Sequence, residues 1–283
     1  MTIEELLSSK GRPAKLVMLT AYDYPLAKLL DEAGVDVILV GDSVAMVVLG
    51  RDDTTAVGME EMLHHAKAVR RGTTRALLIG DMPFGSFHSG AAEAARNARR
   101  FVEEAGCDAV KIEWISGVVE SVRAITAAGV PVMGHVGLTP QTAAREGGYG
   151  MRGKRAEAAA DIIGQADALQ GAGCFALVVE CVPAEVAGLM TERLSIPVFG
   201  IGSGPDCDGQ VVVTHDLLGL YDRFTPRFVR RYADLGRAVR QAAEAYAADV
   251  RRAGFPGADE TVHLAPEEHE RLLAILAPAG RRS

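Results

Sequence analysis

Short apolar runs and longer helix-like stretches alternate along the chain from Lys15 onward. The β-like runs fall at residues 15–21, 35–42, 75–82, 107–113, 130–137, 174–181, 197–202 and 211–216. Many are rich in Val, Ile and Leu throughout, as strands covered on both faces must be. Between them, apolar positions at helical spacing predict helices over residues 24–33, 59–71, 91–105, 118–128, 156–172, 184–193 and 227–253. Several of these end on glycine, which tolerates the left-handed cap conformation. Eight strands with intervening helices predict an α/β fold, a (β/α)₈ TIM barrel, with a doubly wound open sheet as the alternative. No Ser-, Pro- or Gly-rich linker divides the pattern, so residues 1–283 are read as a single barrel domain. A helical extension over 1–14 precedes the first strand. A tail over 255–283 carries a last helix-like segment at 266–276 and a frayed end at 278–283.

Composition narrows the function classes. A chain of 283 residues with 48% hydrophobic content can bury a sizeable core. A formal charge of −7 argues against a nucleic-acid partner, which needs a basic face. No apolar stretch approaches the roughly 18 residues of a membrane span. The first residues are acidic and amphipathic rather than secretory in character, and Thr2 with Glu5 fits a helix capping box. Cys107, Cys174, Cys181 and Cys207 form no CxxC pair and no zinc spacing. Cys107 and Cys174 open apolar runs and are read as small buried hydrophobes. A reduced, cytoplasmic protein is the expectation.

Acidic residues close four of the β-like runs: Asp42, Asp81, Glu113 and Glu180. The C-terminal edge of the strands is where α/β folds gather their chemistry. Clustered carboxylate oxygens suit a hard cation of the Mg²⁺ type. Asp42 with Ser43, or Asp81 before Met82 and Pro83, is by itself an ordinary turn signal. On adjacent strands the two fit oxygen ligands converging on one cation. Alternation puts Lys111 and Glu113 on the inner face of their strand, where they form a structural ion pair or bind something. The sharper reading gives Glu113 to a metal shell and Lys111 to a substrate carboxylate or developing oxyanion. His135 is either a satisfied core histidine or a donor to a bound carboxylate or carbonyl. Glu180 closes the most apolar run, where desolvation favours a base, unless a nearby cation pairs with it. The pair His215 and Asp216 reads as mouth lining or as a turn. The glycine-rich stretch 200–204 lacks a P-loop or dinucleotide pattern and reads as close backbone approach at the rim. Residues 147–150 read as a mobile loop beside the mouth.

These stretches, taken in order, resemble the ketopantoate hydroxymethyltransferase family. The resemblance is carried by Lys-Leu-Val-Met-Leu-Thr-Ala-Tyr-Asp at 15–23, Val-Gly-Asp-Ser at 40–43, Asp-Met-Pro-Phe at 81–84 and Val-Lys-Ile-Glu at 110–113. It continues through Gly-His-Val-Gly-Leu-Thr-Pro-Gln at 134–141, Gly-Gly-Tyr at 147–149, Val-Glu-Cys-Val-Pro at 179–183, Gly-Ile-Gly-Ser-Gly at 200–204 and Asp-Gly-Gln at 208–210. It implies a (β/α)₈ barrel, a homo-oligomer (a decamer in the family), Mg²⁺, and 5,10-methylenetetrahydrofolate as co-substrate. It implies hydroxymethyl transfer to 3-methyl-2-oxobutanoate through a Mg-stabilised enolate, giving 2-dehydropantoate for pantothenate synthesis. By the same resemblance Asp42, Asp81 and Glu113 are the metal residues. Asp42, Ser43, Asp81, Lys111 and His135 lie at the 2-oxo acid, and Glu180 is the proton acceptor. The chain departs from the family pattern at Trp114 and Ile115, where Gly-Gly is expected, and at Val44 and Ala45. Two alternatives remain: a Mg-dependent enzyme of the phosphoenolpyruvate mutase and isocitrate lyase type acting on another 2-oxo acid, and a non-catalytic ligand-sensing barrel.

Overall fold

The computed structural model of the chain describes residues 1–143 and 148–277. Gly147 of the expected mobile loop and the expected frayed end at 278–283 lie outside the described residues. The strands are β1 (Leu16–Thr20), β2 (Val37–Val40), β3 (Leu77–Asp81), β4 (Ala109–Glu113), β5 (Val132–Gly137), β6 (Ala176–Glu180), β7 (Val198–Ile201) and β8 (Gly209–Val212). Each pairs in parallel with its sequence neighbour, and β8 pairs with β1, so the sheet closes into a barrel in chain order. The (β/α)₈ prediction holds and the open sheet does not.

Around it run α1 (Ile3–Leu7), α2 (Tyr24–Glu32), α3 (Val44–Val47), α4 (Met59–Gly72), α5 (Ala91–Glu103), α6 (Val118–Ala127), α7 (Pro140–Ala143), α8 (Ala156–Gly171), α9 (Ala184–Arg193) and α10 (Thr214–Leu217). Capping signals set several starts. Thr2 and Glu5 form the expected capping box of α1. The Asp23 carboxylate accepts from Leu26 N at 2.9 Å, and Pro25 sits in the first turn of α2.

Period-two alternation divides the apolar residues between two cores. Met18, Val37, Leu39, Leu77, Ile79, Met133, Val178 and Phe199 fill the barrel. Ile38, Val40, Leu78, Val110, Ile112 and Val132 face the helices, where Leu63, Phe101, Ile125 and Leu169 cover them. Leu6 of α1 is fully buried against the N-terminal ends of the strands, beside Leu16, Val37 and Leu77. Burying such a side chain stabilises by roughly 1.5–3 kcal/mol. The helix thereby closes the N-terminal end and leaves the opposite rim for chemistry.

The predicted eighth strand is displaced. Residues 211–216 are expected as strand, but β8 is Gly209–Val212 and α10 begins at Thr214. Gly209 belongs to the ladder because the Phe199 ring and Leu16 O occupy the place of a side chain there, 2.6 and 2.8 Å from an added Cβ.

Residues from Asp234 onward form a second compact unit. It contains α11 (Leu235–Arg251) and α12 (Pro266–Leu276). The start of α11 falls at Leu235 rather than 227, where the Asp234 side chain caps it. Among the described residues no helix is long and apolar enough to cross a membrane. All four cysteines are free, and Cys107, Cys174 and Cys207 are buried.

Candidate active site

Four strands deliver carboxylates to one rim. Asp81, Glu113 and Glu180 are the last residues of β3, β4 and β6, and Asp42 follows β2 by two residues. All seven residues singled out from the sequence, Asp42, Ser43, Asp81, Lys111, Glu113, His135 and Glu180, line a single cavity of about 110 Å³. Asp42 and Asp81 stand together rather than at opposite poles, since Asp42 N donates to Asp81 Oδ2 at 3.1 Å.

Lys111 is the hub. Its Nζ lies 2.8 Å from Asp81 Oδ1, 3.8 Å from Glu113 Oε1 and 3.3 Å from His135 Nδ1. The structure therefore contains the ion pairing that the plainer reading of Lys111 and Glu113 requires. It also places that pairing in the cavity wall. His135 is pinned between two acids, with Nδ1 3.6 Å from Glu113 Oε1 and Nε2 3.2 Å from Glu180 Oε2. Glu180 reaches the cavity with 15% of its side chain exposed, and the His135 imidazole lies beside it.

Burial governs the electrostatics. It pushes the Asp42 carboxyl well above the usual carboxylate range, and Asp81 and Glu113 push it further against Lys111 and Gln141. Burial raises Asp81 as well, with Lys111 opposing. Glu113 is desolvated too, yet His135, Lys111 and the Gln141 N–H bring it below its ordinary value. Burial disfavours charge on Lys111, but Asp81, Glu113 and Asp42 outweigh it and hold the ammonium above its ordinary value. Burial and Lys111 likewise oppose the imidazolium of His135, and Glu113 and Glu180 overcome them, lifting it to about 9.

Two residues not singled out individually from the sequence complete the frame. The Gln141 amide donates to Asp42 Oδ2 at 2.9 Å and to Met82 O at 3.0 Å, while its backbone N–H donates to Glu113 Oε2 at 3.1 Å. One buried residue of α7 thus orients two acids. Tyr22 is 1% exposed, and its hydroxyl is 2.7 Å from Ser43 Oγ. Both lie inside the motifs that carry the family resemblance, which was the available signal. His215 and Asp216 sit in the short helix α10 rather than in a turn, and they do not line the cavity. In the glycine-rich stretch 200–204, Ser203 Oγ donates to Val179 O at 3.0 Å, and Ile201 lines the cavity.

The donor set suits a hard divalent cation. Asp42, Asp81 and Glu113 are each at most 5% exposed, and with Glu180 they set four carboxyl groups against one lysine and one histidine. Buried carboxylates in excess call for added positive charge. Among the described residues no three His, Cys, Asp or Glu side chains form a ready-made metal cage. A Mg²⁺ site needs only one or two protein carboxylates and completes its shell with water and substrate oxygens.

Known proteins resemble this chain both in sequence and in fold. A family profile described as ketopantoate hydroxymethyltransferase matches residues 1–258. A 3-methyl-2-oxobutanoate hydroxymethyltransferase of Syntrophobacter fumaroxidans is 52% identical over 97% of this chain and 97% of its own length. A protein of the same name from Acetivibrio thermocellus is 52% identical over 90% of each chain. Among solved structures, a phosphonopyruvate hydrolase superposes with a TM-score of 0.61 at 17% identity, covering 99% of both chains. A 2,3-dimethylmalate lyase, described as a member of the PEP mutase/isocitrate lyase superfamily, gives 0.59 at 17% identity over 96% of this chain and 98% of its own. These two share the fold. The extent and identity of the sequence matches settle the closer relationship: the chain belongs to the ketopantoate hydroxymethyltransferase family.

Proposed function

We propose that the enzyme transfers a hydroxymethyl group from 5,10-methylenetetrahydrofolate to 3-methyl-2-oxobutanoate, giving 2-dehydropantoate. The observation that carries this reading is one cavity in which Asp42, Asp81 and Glu113 surround Lys111 and face the His135–Glu180 pair, in a chain of this family. Asp42 and Asp81 would hold Mg²⁺, with Glu113 beside them. When bound, Mg²⁺ supplies Lewis-acid polarisation of the 2-oxo group, which acidifies the neighbouring C3–H.

The protein side chains do the rest. Ser43, Asp81, Lys111 and His135 position the 2-oxo acid, and Ser43 is itself fixed by Tyr22. Glu180 takes the C3 proton, its carboxylate aimed by His135. The Lys111 ammonium faces the negative charge that develops on the 2-oxo oxygen, a preorganised term in a site with little water. The C3 carbon then takes the one-carbon unit from the folate with uptake of one water, releasing tetrahydrofolate. The volume of about 110 Å³ fits a small acid. The four free thiols fit a reducing cytoplasm. A homo-oligomer belongs to this reading by family membership alone.

The direct test supplies Mg²⁺, 3-methyl-2-oxobutanoate and methylenetetrahydrofolate and follows product by mass spectrometry. The expected result is 2-dehydropantoate, abolished by a chelator. Deprotonation at C3 without any new C–C bond would mean a different electrophile, as in the alternative acting on another 2-oxo acid. An inert protein would return the non-catalytic barrel.

A further inference from the structure

A second cavity, of about 320 Å³, opens at the same C-terminal edge of the barrel. Trp114 and Ser116 line it from the loop after β4, Thr139 from the loop after β5, and Asp161 and Gln165 from α8, with Arg152 beside them. Some of its lining residues are chain neighbours of residues that line the catalytic cavity. Trp114 follows Glu113, and Thr139 precedes Pro140, which lines the catalytic cavity, so each step is about 3.8 Å between Cα atoms.

We propose that this cavity receives the pterin ring of the one-carbon donor, stacked on Trp114 and held at its edge by Asp161 and Gln165. The inference rests on the folate-dependent transfer proposed above and adds where the donor sits. Size argues first. The catalytic cavity of about 110 Å³ has room for the small acid and none for a folate, whereas about 320 Å³ falls in the range of pockets for larger ligands. Chemistry argues second. Asp161 and Gln165 are four apart on α8 and share one face. Neither side chain makes a hydrogen bond or ion pair among the described residues. A carboxylate can accept both N–H groups of a 2-aminopyrimidinone edge, and a primary amide complements its lactam. The indole offers a flat apolar face for the fused ring. Third, the buried Nε of Arg152 has no hydrogen-bond partner among the described residues, while Nη2 donates to Gly148 O at 2.9 Å. The Nε–H is closed to solvent, so what Arg152 brings to the cavity wall is its positive charge.

Trp114 is the only tryptophan in the chain, so it reports its own surroundings. Tetrahydrofolate is titrated into the Mg²⁺-loaded enzyme under reducing conditions, following indole emission and, in parallel, heat. Saturable quenching is expected. Asp161→Asn, Gln165→Ala and Trp114→Leu should each weaken tetrahydrofolate binding at least about tenfold, the scale of losing one stacked or bidentate contact. Deuterium exchange at C3 of 3-methyl-2-oxobutanoate without folate should stay at the wild-type rate in all three, which also shows that they fold. Wild-type folate affinity in the Trp114 and Asp161 variants would overturn the subsite. So would saturable binding that leaves the indole emission unchanged, or exchange-competent enzyme that binds no tetrahydrofolate. Folate binding that the variants weaken, in an enzyme showing no exchange, would keep the subsite and sink the ketoacid chemistry instead.

Discussion

Acidic side chains at the two ends of the strands do different work. At the C-terminal rim, Asp42, Asp81, Glu113 and Glu180 crowd one cavity. At the opposite ends, single acids accept backbone N–H groups: Asp36 from Val17, Asp108 from Leu78 and Asp208 from Val198, all at 2.8–2.9 Å. Asp31 accepts four bonds, from Thr74 N and Oγ1, Arg75 N and Ala76 N, and so fixes the entry to β3. Burial works against its charge, but these donors win and lower its pKa. A lowered carboxylate contributes stability that is complete above the unfolded value near pH 4 and is lost as pH falls through the folded value. Asp31→Asn should therefore cost roughly 1.5–3 kcal/mol at pH 7 and progressively less towards pH 3, read from urea unfolding. An equal cost at both pH values would contradict the charge-based role. At the rim, Gln141→Ala removes the donors to Asp42 and Met82 while leaving the Glu113 contact to the backbone. Mg²⁺ affinity in the presence of the 2-oxo acid should drop about 10–100-fold by calorimetry, and unchanged affinity would make Gln141 merely structural. The rim acids were legible because each closes an apolar run. Gln141 was not individually legible, because a polar residue after a proline in a loop has no period to mark it.

Most of the longer elements were legible, α11 excepted, since it starts at Leu235 rather than 227. The apolar spacing places α9 and α12 at the observed bounds, and most strands shrink by only a residue or two at each end. Four-residue helices such as α3, α7 and α10 span little more than one turn, too short for a 3.6-residue pattern to register. Yet α7 carries Gln141 and α3 begins beside Ser43. The edge of β8 was hidden by Gly209, which local propensity reads as a turn and packing requires as strand. Gly137 shows the same dependence on tertiary contacts. It ends β5 with φ +94°, and an added Cβ would lie 2.3 Å from Glu180 O. Gly137→Ala should destabilise by more than about 2 kcal/mol, combining left-handed strain with a backbone clash. Because that clash falls on the Glu180 backbone, proton abstraction should also slow when assayed well below the unfolding temperature. A variant as stable and active as the wild type would mean that the strand end relaxes freely.

Closure of the barrel is what turns scattered residues into a site. Register alone sets Asp81 beside Lys111, Glu113 beside His135 and Gly137 beside Glu180 across neighbouring strands. The count of eight apolar runs foretold that closure, and strand-end acids foretold which rim would be charged. Distances such as the 3.2 Å between His135 and Glu180 depend on packing and could not be read from order along the chain. The central claim is that this assembly acidifies a 2-oxo acid and that Glu180 receives the proton. Proton NMR of 3-methyl-2-oxobutanoate in D₂O with Mg²⁺, enzyme and no folate tests it most directly. Wild-type enzyme should wash out the C3 proton, and Glu180→Gln should do so about 10²–10⁴-fold more slowly while still binding the acid. Equal rates in the two proteins, or none above the protein-free control in either, would contradict it.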